Sequence, residues 1–143
     1  MTYAELKNLI QNYLQNSETS FTTYLPDMIK QAEDRILENV QLPVFRKNQT
    51  GSVSLGNQYL GIPSDFLAPY SLSYTASSNQ TFLMNKDVNW IREVYPNAST
   101  TGEPEYYGIF DNDYFILAPT PDAAYNVELH YFYRPASITA GGD

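Results

Sequence analysis

Up to Leu42 the chain repeats its apolar side chains every three or four residues; beyond Pro43 it alternates or clusters them between Gly, Pro and Asn. The first segment opens on Thr2 and Glu5, spaced as a capping box in which each side chain satisfies the other's free backbone N–H. Leu6, Leu9, Ile10, Tyr13 and Leu14 follow at the spacing of one buried helical stripe, and Asn16-Ser17 is expected to end it. A second helix is predicted from Pro26, tolerated in a first turn where no N–H is needed, with Asp27 favoured at the positive end of the dipole. Met28, Ile29, Ala32, Ile36 and Val40 form its apolar face, Lys30, Glu33, Asp34 and Glu38 point away, and Pro43 closes it. Phe21 and Leu25, just upstream, are expected to pack back as a staple. The two helices read as an αα-hairpin with a seam of Leu6, Ile10, Tyr13, Leu25, Ile29, Ala32 and Ile36.

The remainder reads as β. Gln49 to Leu55, Asn57 to Ile62 and Pro69 to Tyr74 are short strands punctuated by Gly51, Gly56, Gly61 and Pro63, with Gly56-Asn57 suited to a tight reversal between the first two. Asp87 N-caps a short helix that carries Val88, Ile91, Val94 and Tyr95 on one side. Asn97 to Pro104 is a polar loop. Asp111-Asn112-Asp113 then separates strands Tyr106–Phe110 and Tyr114–Leu117, because Asn and Asp tolerate the positive φ of a hairpin turn. The last strand places Val127, Leu129, Tyr131 and Tyr133 on one face and Glu128, His130 and Phe132 on the other. The predicted fold class is α+β: an N-terminal helical hairpin packed with a mostly antiparallel sheet or sandwich containing one short helix. One domain spans 1–143, with the hairpin over 1–42, the β-rich part over 43–135 and a flexible tail over 136–143.

Composition narrows the function. The chain has 143 residues, no Cys and one His. That removes disulfides, thiolate metal sites and cysteine nucleophiles, together with metal sites that need two imidazoles. Lys and Arg number 8 against 16 Asp and Glu, a net charge of −8, which argues against a duplex-binding surface. Charged residues make up 17%, while Tyr alone numbers 13. Interfaces favour aromatics and exclude charge, so this suits a surface covered by partners, and equally an ordinary Tyr-rich β-domain. The N-terminus lacks the basic and apolar regions of a signal peptide, and no apolar run approaches the roughly 20 residues of a membrane helix. A soluble protein made in a cytoplasm is expected, with the sequons at Asn48, Asn79 and Asn97 incidental.

Candidate chemistry is thin. Asp111 and Asp113 could attract a cation but lack the further oxygens of a calcium loop, so the turn reading is preferred. Glu103 and Glu105 would serve as a glycosidase pair only if they faced one cleft. Glu128 and His130 share a strand face and could pair. Trp90, Tyr95, Tyr106 and Tyr107 could form a stacking platform, although Trp90 at this spacing reads better as packing the short helix onto the sheet. No nucleophile elbow or phosphate loop occurs. No catalytic residue, cofactor site or metal site is assigned, and the chain is not expected to be an enzyme.

A family resemblance goes further. Thr2-Tyr3-x-Glu5-Leu6, Ile10, Tyr13-Leu14, Phe21, Leu25-Pro26, Ile29, Ala32-Glu33 and Arg35-Ile36 resemble the opening of head-to-tail adaptor proteins of short-tailed tailed phages. Pro63-Ser64-Asp65-Phe66-Leu67 resembles that family's "LPxDFL" segment, and Gly102-Glu103-Pro104-Glu105-Tyr106-Tyr107 its "GxPxYY" element. Leu117-Ala118-Pro119-Thr120-Pro121, with Tyr125, and Leu129-His130-Tyr131-Phe132-Tyr133 resemble its closing strands. The pieces occur in order over nearly the whole chain.

The resemblance implies a structural virion protein, assembled in the host cytoplasm and located at the head–tail junction. Twelve copies would form a ring against the portal protein and connect it to the tail tube or nozzle. Genomic DNA would pass through the lumen without specific binding, and no membrane would be involved. Tyr106, Tyr107, Tyr131 and Tyr133 are the candidate subunit-interface residues. An acidic channel wall would repel phosphates, although −8 is also common among soluble proteins. Members of that family continue beyond the last strand into a helical segment on the portal side, whereas this sequence ends at Asp143, so portal docking through that segment is left open. The competing function is a β-rich carbohydrate- or receptor-binding module of a virion tail.

Overall fold

A computed structural model describes residues 1–40 and 42–140, which divide into two compact units: residues 1–43 with 134–143, and residues 44–133. Three helices, two of them N-terminal, and a mostly antiparallel set of strands make the fold α+β. The C-terminal segment returns to the helical unit.

In that unit α1 spans Tyr3–Leu14 and α2 spans Thr19–Asn39. The capping box forms as the sequence predicts: Glu5 N–H donates to Thr2 Oγ1 at 3.2 Å and Thr2 N–H to Glu5 Oε2 at 2.8 Å. Gln15, in the left-handed region at φ 50°, ends α1. The start of α2 differs from expectation by a full two turns. Pro26 lies inside the helix rather than opening it, so Phe21 and Leu25 are helical residues and no staple forms. The run Thr-Ser-Phe-Thr-Thr-Tyr has weak helix propensity, which concealed the true start. Gln11 Nε2 donates to Thr22 Oγ1 at 3.0 Å, tying the two helices together.

The seam is only partly sealed. Leu25 and Ile29 are buried and Leu6 and Ile10 half-buried, but Tyr13 is 87% exposed, Ile36 54% exposed, and Ala32 is exposed as well. Two helices and a short return segment are too thin a layer to cover apolar stripes on both. Residues 134–140 are not a free tail. Arg134 pairs with Asp34, Ile138 N–H donates to Glu33 Oε1 at 3.0 Å, and Ala140 N–H closes a turn on the Ser137 carbonyl at 2.9 Å. The Gly141-Gly142-Asp143 end lies outside the described residues.

The other unit is a sandwich. One sheet has the order β1-β10-β3-β4, where β1 is Arg46–Val53, β3 Phe66–Ala76, β4 Asn79–Phe82 and β10 Tyr125–Tyr133. The second has the order β2-β8-β7-β5, where β2 is Tyr59–Gly61, β5 Met84–Asn85, β7 Tyr106–Ile109 and β8 Tyr114–Ala118. A small parallel pair joins β6, Thr101–Gly102, to β9, Thr120–Pro121. Leu72, Tyr74, Val127, Leu129 and Tyr131 of the first sheet meet Leu60, Tyr107, Phe115 and Leu117 of the second in one core. Helix α3, Val88–Val94, capped by Asp87 as predicted, covers the outer face of the second sheet through Ile91, Ile116 and Ala118. Strand β8 is therefore buried on both faces, which explains its unbroken apolar run.

The Gly56-Asn57 reversal was expected to join a hairpin. Instead β1 pairs with β10 and β2 with β8, so the turn carries the chain from one sheet to the other. Gly56 still supplies the positive φ of 75° that the turn needs. The Asp111–Asp113 hairpin forms as read, with Asp111 Oδ1 accepting from the N–H groups of Asp113 and Tyr114, both at 2.8 Å.

Three outcomes follow for the folding of this chain. Pro26→Ala should raise stability by about 1–2 kcal/mol, because a proline inside a helix removes a hydrogen bond and clashes with the preceding turn. Ile29→Asp should cost about 3 kcal/mol or more, whereas Ile36→Asp should stay within about 0.5 kcal/mol. Thermal melts followed by far-ultraviolet circular dichroism distinguish these, and equal losses at Ile29 and Ile36 would contradict the half-sealed seam. Gly108→Ala should lose about 2 kcal/mol or more, since its Cβ would sit 2.7 Å from the Lys86 carbonyl and 3.1 Å from Ile91 Cδ1.

Candidate functional site

The motif residues converge on the sandwich, where they act as structural pins. Asp65, in the turn before β3, accepts from Lys47 Nζ at 2.7 Å and from the Tyr131 hydroxyl at 2.7 Å. Tyr131 is 0% exposed, so its hydroxyl needs a partner inside the protein. Its pKa is pushed far up, first by burial and then by the hydrogen bond to Asp65. Lys47 holds the Asp65 carboxyl below its ordinary range against the opposing effect of burial, and Tyr131 adds to that.

A second pin uses the "GxPxYY" element. The Tyr74 hydroxyl donates to Glu103 Oε2 at 2.9 Å, and the Tyr125 hydroxyl donates to Asp122 Oδ1 at 2.6 Å. The two rings lie 4.9 Å apart. Burial, followed by the Glu103 bond, raises the Tyr74 pKa; the Asp122 bond, followed by burial, carries Tyr125 to about 12. Pro104 is buried, and Tyr106 and Tyr107 pair with Ala118 and Leu117 of β8.

The candidate interface tyrosines therefore divide. Tyr107, 3% exposed, and Tyr131 lie in the core and present nothing to a neighbour; strand alternation directs both inward. Tyr106 and Tyr133 are half-buried. The residues that do stand exposed are apolar helix positions: Tyr13 and Ile36 of the expected seam, and Leu9, Leu14 and Met28 of the apolar helix faces, joined by Tyr24. The signal for them was present in the sequence, but apolar spacing alone does not distinguish a stripe buried within the chain from one left open.

The catalytic candidates separate as well. Glu103 is held by Tyr74, while Glu105 lies towards Tyr95, whose pKa it helps burial to raise. Glu128 accepts from Asn48 Nδ2 at 2.7 Å and from Gln80 Nε2 at 3.0 Å, and His130 stacks edge-on against Tyr70 at 5.0 Å, so the two form no dyad. Trp90 packs on Tyr106 with centroids 4.9 Å apart. It fastens α3 to the sheet, as its spacing suggested, with Trp90, Tyr95 and Tyr106 all half-buried against Ile91, Ile116 and Ala118. Among the described residues no cluster of three or more His, Asp or Glu is placed to hold a metal, and no helix is long and apolar enough to cross a membrane.

A family model described as SU10 adaptor protein matches residues 1–143. The chain belongs to that family. It is thus a phage adaptor protein, a structural component through which head and tail proteins of a virion are joined. No curated protein matches it. The match covers the helical unit and the sandwich alike, so the pins at Asp65, Glu103 and Asp122 belong to the adaptor's scaffold.

Adaptor stability should carry the signature of Asp65. Its folded pKa lies below the ordinary value, so its contribution is complete above the unfolded range near 3.9 and is lost as pH falls through the lower folded value. Asp65→Asn should cost about 1–2 kcal/mol at neutral pH. The gap between wild type and variant should close below about pH 4 in thermal melts. A gap that stays constant on acidification would mean that the carboxylate charge is not what stabilises the turn.

Proposed function

We propose that copies of this adaptor form a closed ring of twelve between the portal protein and the tail tube or nozzle of a short-tailed phage, around the channel through which DNA passes. The observation that carries the reading is the family match over the whole chain. The surface chemistry supports it. A single copy leaves Tyr13, Tyr24, Met28 and Ile36 more than half exposed on the helices, and Phe82 and Met84 likewise on the sandwich. Apolar area of this kind is stabilised when a neighbour covers it, at about 25 cal/mol for each Å² removed from water. A cyclic head-to-tail assembly also requires two different faces per subunit, and the helical unit and the sandwich are chemically unlike. The net charge of −8 suits a wall that DNA must pass without adhering.

The candidate interface moves accordingly, from Tyr107 and Tyr131 to the exposed helix positions, with Tyr106 and Tyr133 retained. Tyr13→Ala combined with Ile36→Ala should leave the purified chain folded yet reduce its incorporation into particles about tenfold, the equivalent of about 1.4 kcal/mol. Quantitative mass spectrometry of purified virions gives the copy number, and cryo-electron microscopy of the neck gives the ring. Absence of the chain from particles, or its presence only on peripheral fibres, would contradict the proposal.

A further inference from the structure

Among the described residues Arg46 is a cation without an anion. It opens β1 on the outer face of the first sheet, opposite Phe132 of β10. Its guanidinium lies 4.1 Å from the ring centroid of Tyr70 and 5.3 Å from that of Phe132. Tyr70 is 53% exposed, and His130 packs edge-on against it with centroids 5.0 Å apart. Among the described residues Arg46 makes no ion pair, and its Nε is buried with no hydrogen-bond partner. Among the described residues that nitrogen, which carries one of the guanidinium's five donors, has no acceptor from the fold itself. The carboxylate on the same face, Glu128, is already held by Asn48 and Gln80. Asp65 is held by Lys47 and Tyr131, and strand alternation turns Lys47 to the opposite face from Arg46.

We infer that Arg46, held over Tyr70 and beside Phe132, is the receptor for a carboxylate of a second copy of this chain. This rests on the ring reading and names one of its contacts. Charge decides the occupant. The chain carries 16 acidic side chains against 8 basic ones, so a neighbouring copy brings a surplus of carboxylates to any contact. A guanidinium is a planar fork of donors matched to a carboxylate, and the Tyr70 ring it lies over supplies no oxygen acceptor at its face. A nucleic-acid backbone is a poorer fit, because tracking successive phosphates needs several free cations in a row. The adjacent cation, Lys47, is engaged with Asp65.

The experiment compares phage particles carrying wild-type chain, Arg46→Gln or Arg46→Glu, with melting of each purified chain as the check on folding. Arg46→Gln keeps a planar end group to stack on Tyr70, so it should melt as wild type while the chain per particle falls about tenfold. Arg46→Glu should fall further. Second-site suppressors that restore growth to it should change an Asp or Glu of this same chain to Lys or Arg. Wild-type incorporation of both variants overturns the inference. So do suppressors that map only to another virion protein, and so does unfolding of both variants, which would make Arg46 a purely structural residue. Absence of the wild-type chain from particles overturns the ring reading along with it, and is seen before any variant is made.

Discussion

The hydroxyl of Tyr131 sits where water does not reach, near the C-terminal end of the strand that pairs with neighbours on both sides. A buried hydroxyl without a partner would cost about 1–3 kcal/mol. Asp65 satisfies it, and to do so the turn ahead of β3 must come back over the end of the sheet. Once there, the same carboxylate takes Lys47 from β1. One acidic residue thus fixes the relation of β1, β3 and β10, the three strands that make most of the first sheet. Phe66, beside Asp65, carries the constraint into the core, packing at 5.8 Å on Tyr131 and at 5.3 Å on Phe115 of the opposite sheet. The Pro-Ser-Asp-Phe-Leu motif is therefore intelligible as geometry: the aspartate ties strands within a sheet and the phenylalanine joins the two sheets.

Where local chemistry dominates, the sequence was legible. The capping box, the Asp87 cap, the Asp111 turn and the alternation of β10 each follow from one or two side chains and a fixed period, and each is found where the pattern places it. The failures share a different cause. Pro26 reads as a helix start because its isolated preference is for a first turn, yet burial of Leu25 and Ile29 stabilises a helix that runs through it. Gly56-Asn57 reads as a hairpin because the turn is local, whereas strand partners are chosen across the sandwich: Arg46 pairs with Phe132, far along the chain. Strands β4, β5, β6 and β9 have four residues or fewer, too short for any period to show. The exposed stripe on the helices was visible as apolar spacing, but nothing in a single sequence tells an internal seam from a surface awaiting another molecule.

Composition can then be read again, residue by residue. An abundance of tyrosine and a shortage of charge suggested surfaces made to be covered, and that is half of the account. Tyr74, Tyr125 and Tyr131 each donate to a carboxylate, so in this chain acids are held by tyrosine hydroxyls where a more basic protein would use lysine or arginine. Half of the eight cations lie over rings. Arg46, Lys47, Lys86 and Arg92 all lie over aromatic faces, at 4.1, 5.7, 5.0 and 5.1 Å from the nearest centroid in turn. Each such contact is worth about 0.5–1 kcal/mol at an exposed site, and of these four cations Lys47 also pairs with Asp65. Other carboxylates are taken by amides and backbone N–H groups, as at Glu128, Asp87 and Asp111, which hold the acid without cancelling its charge. A net charge of −8 and a set of open apolar helix positions thus coexist on one chain: charge of that sign discourages adhesion of a polyanion, and exposed apolar area is stabilised when another protein covers it.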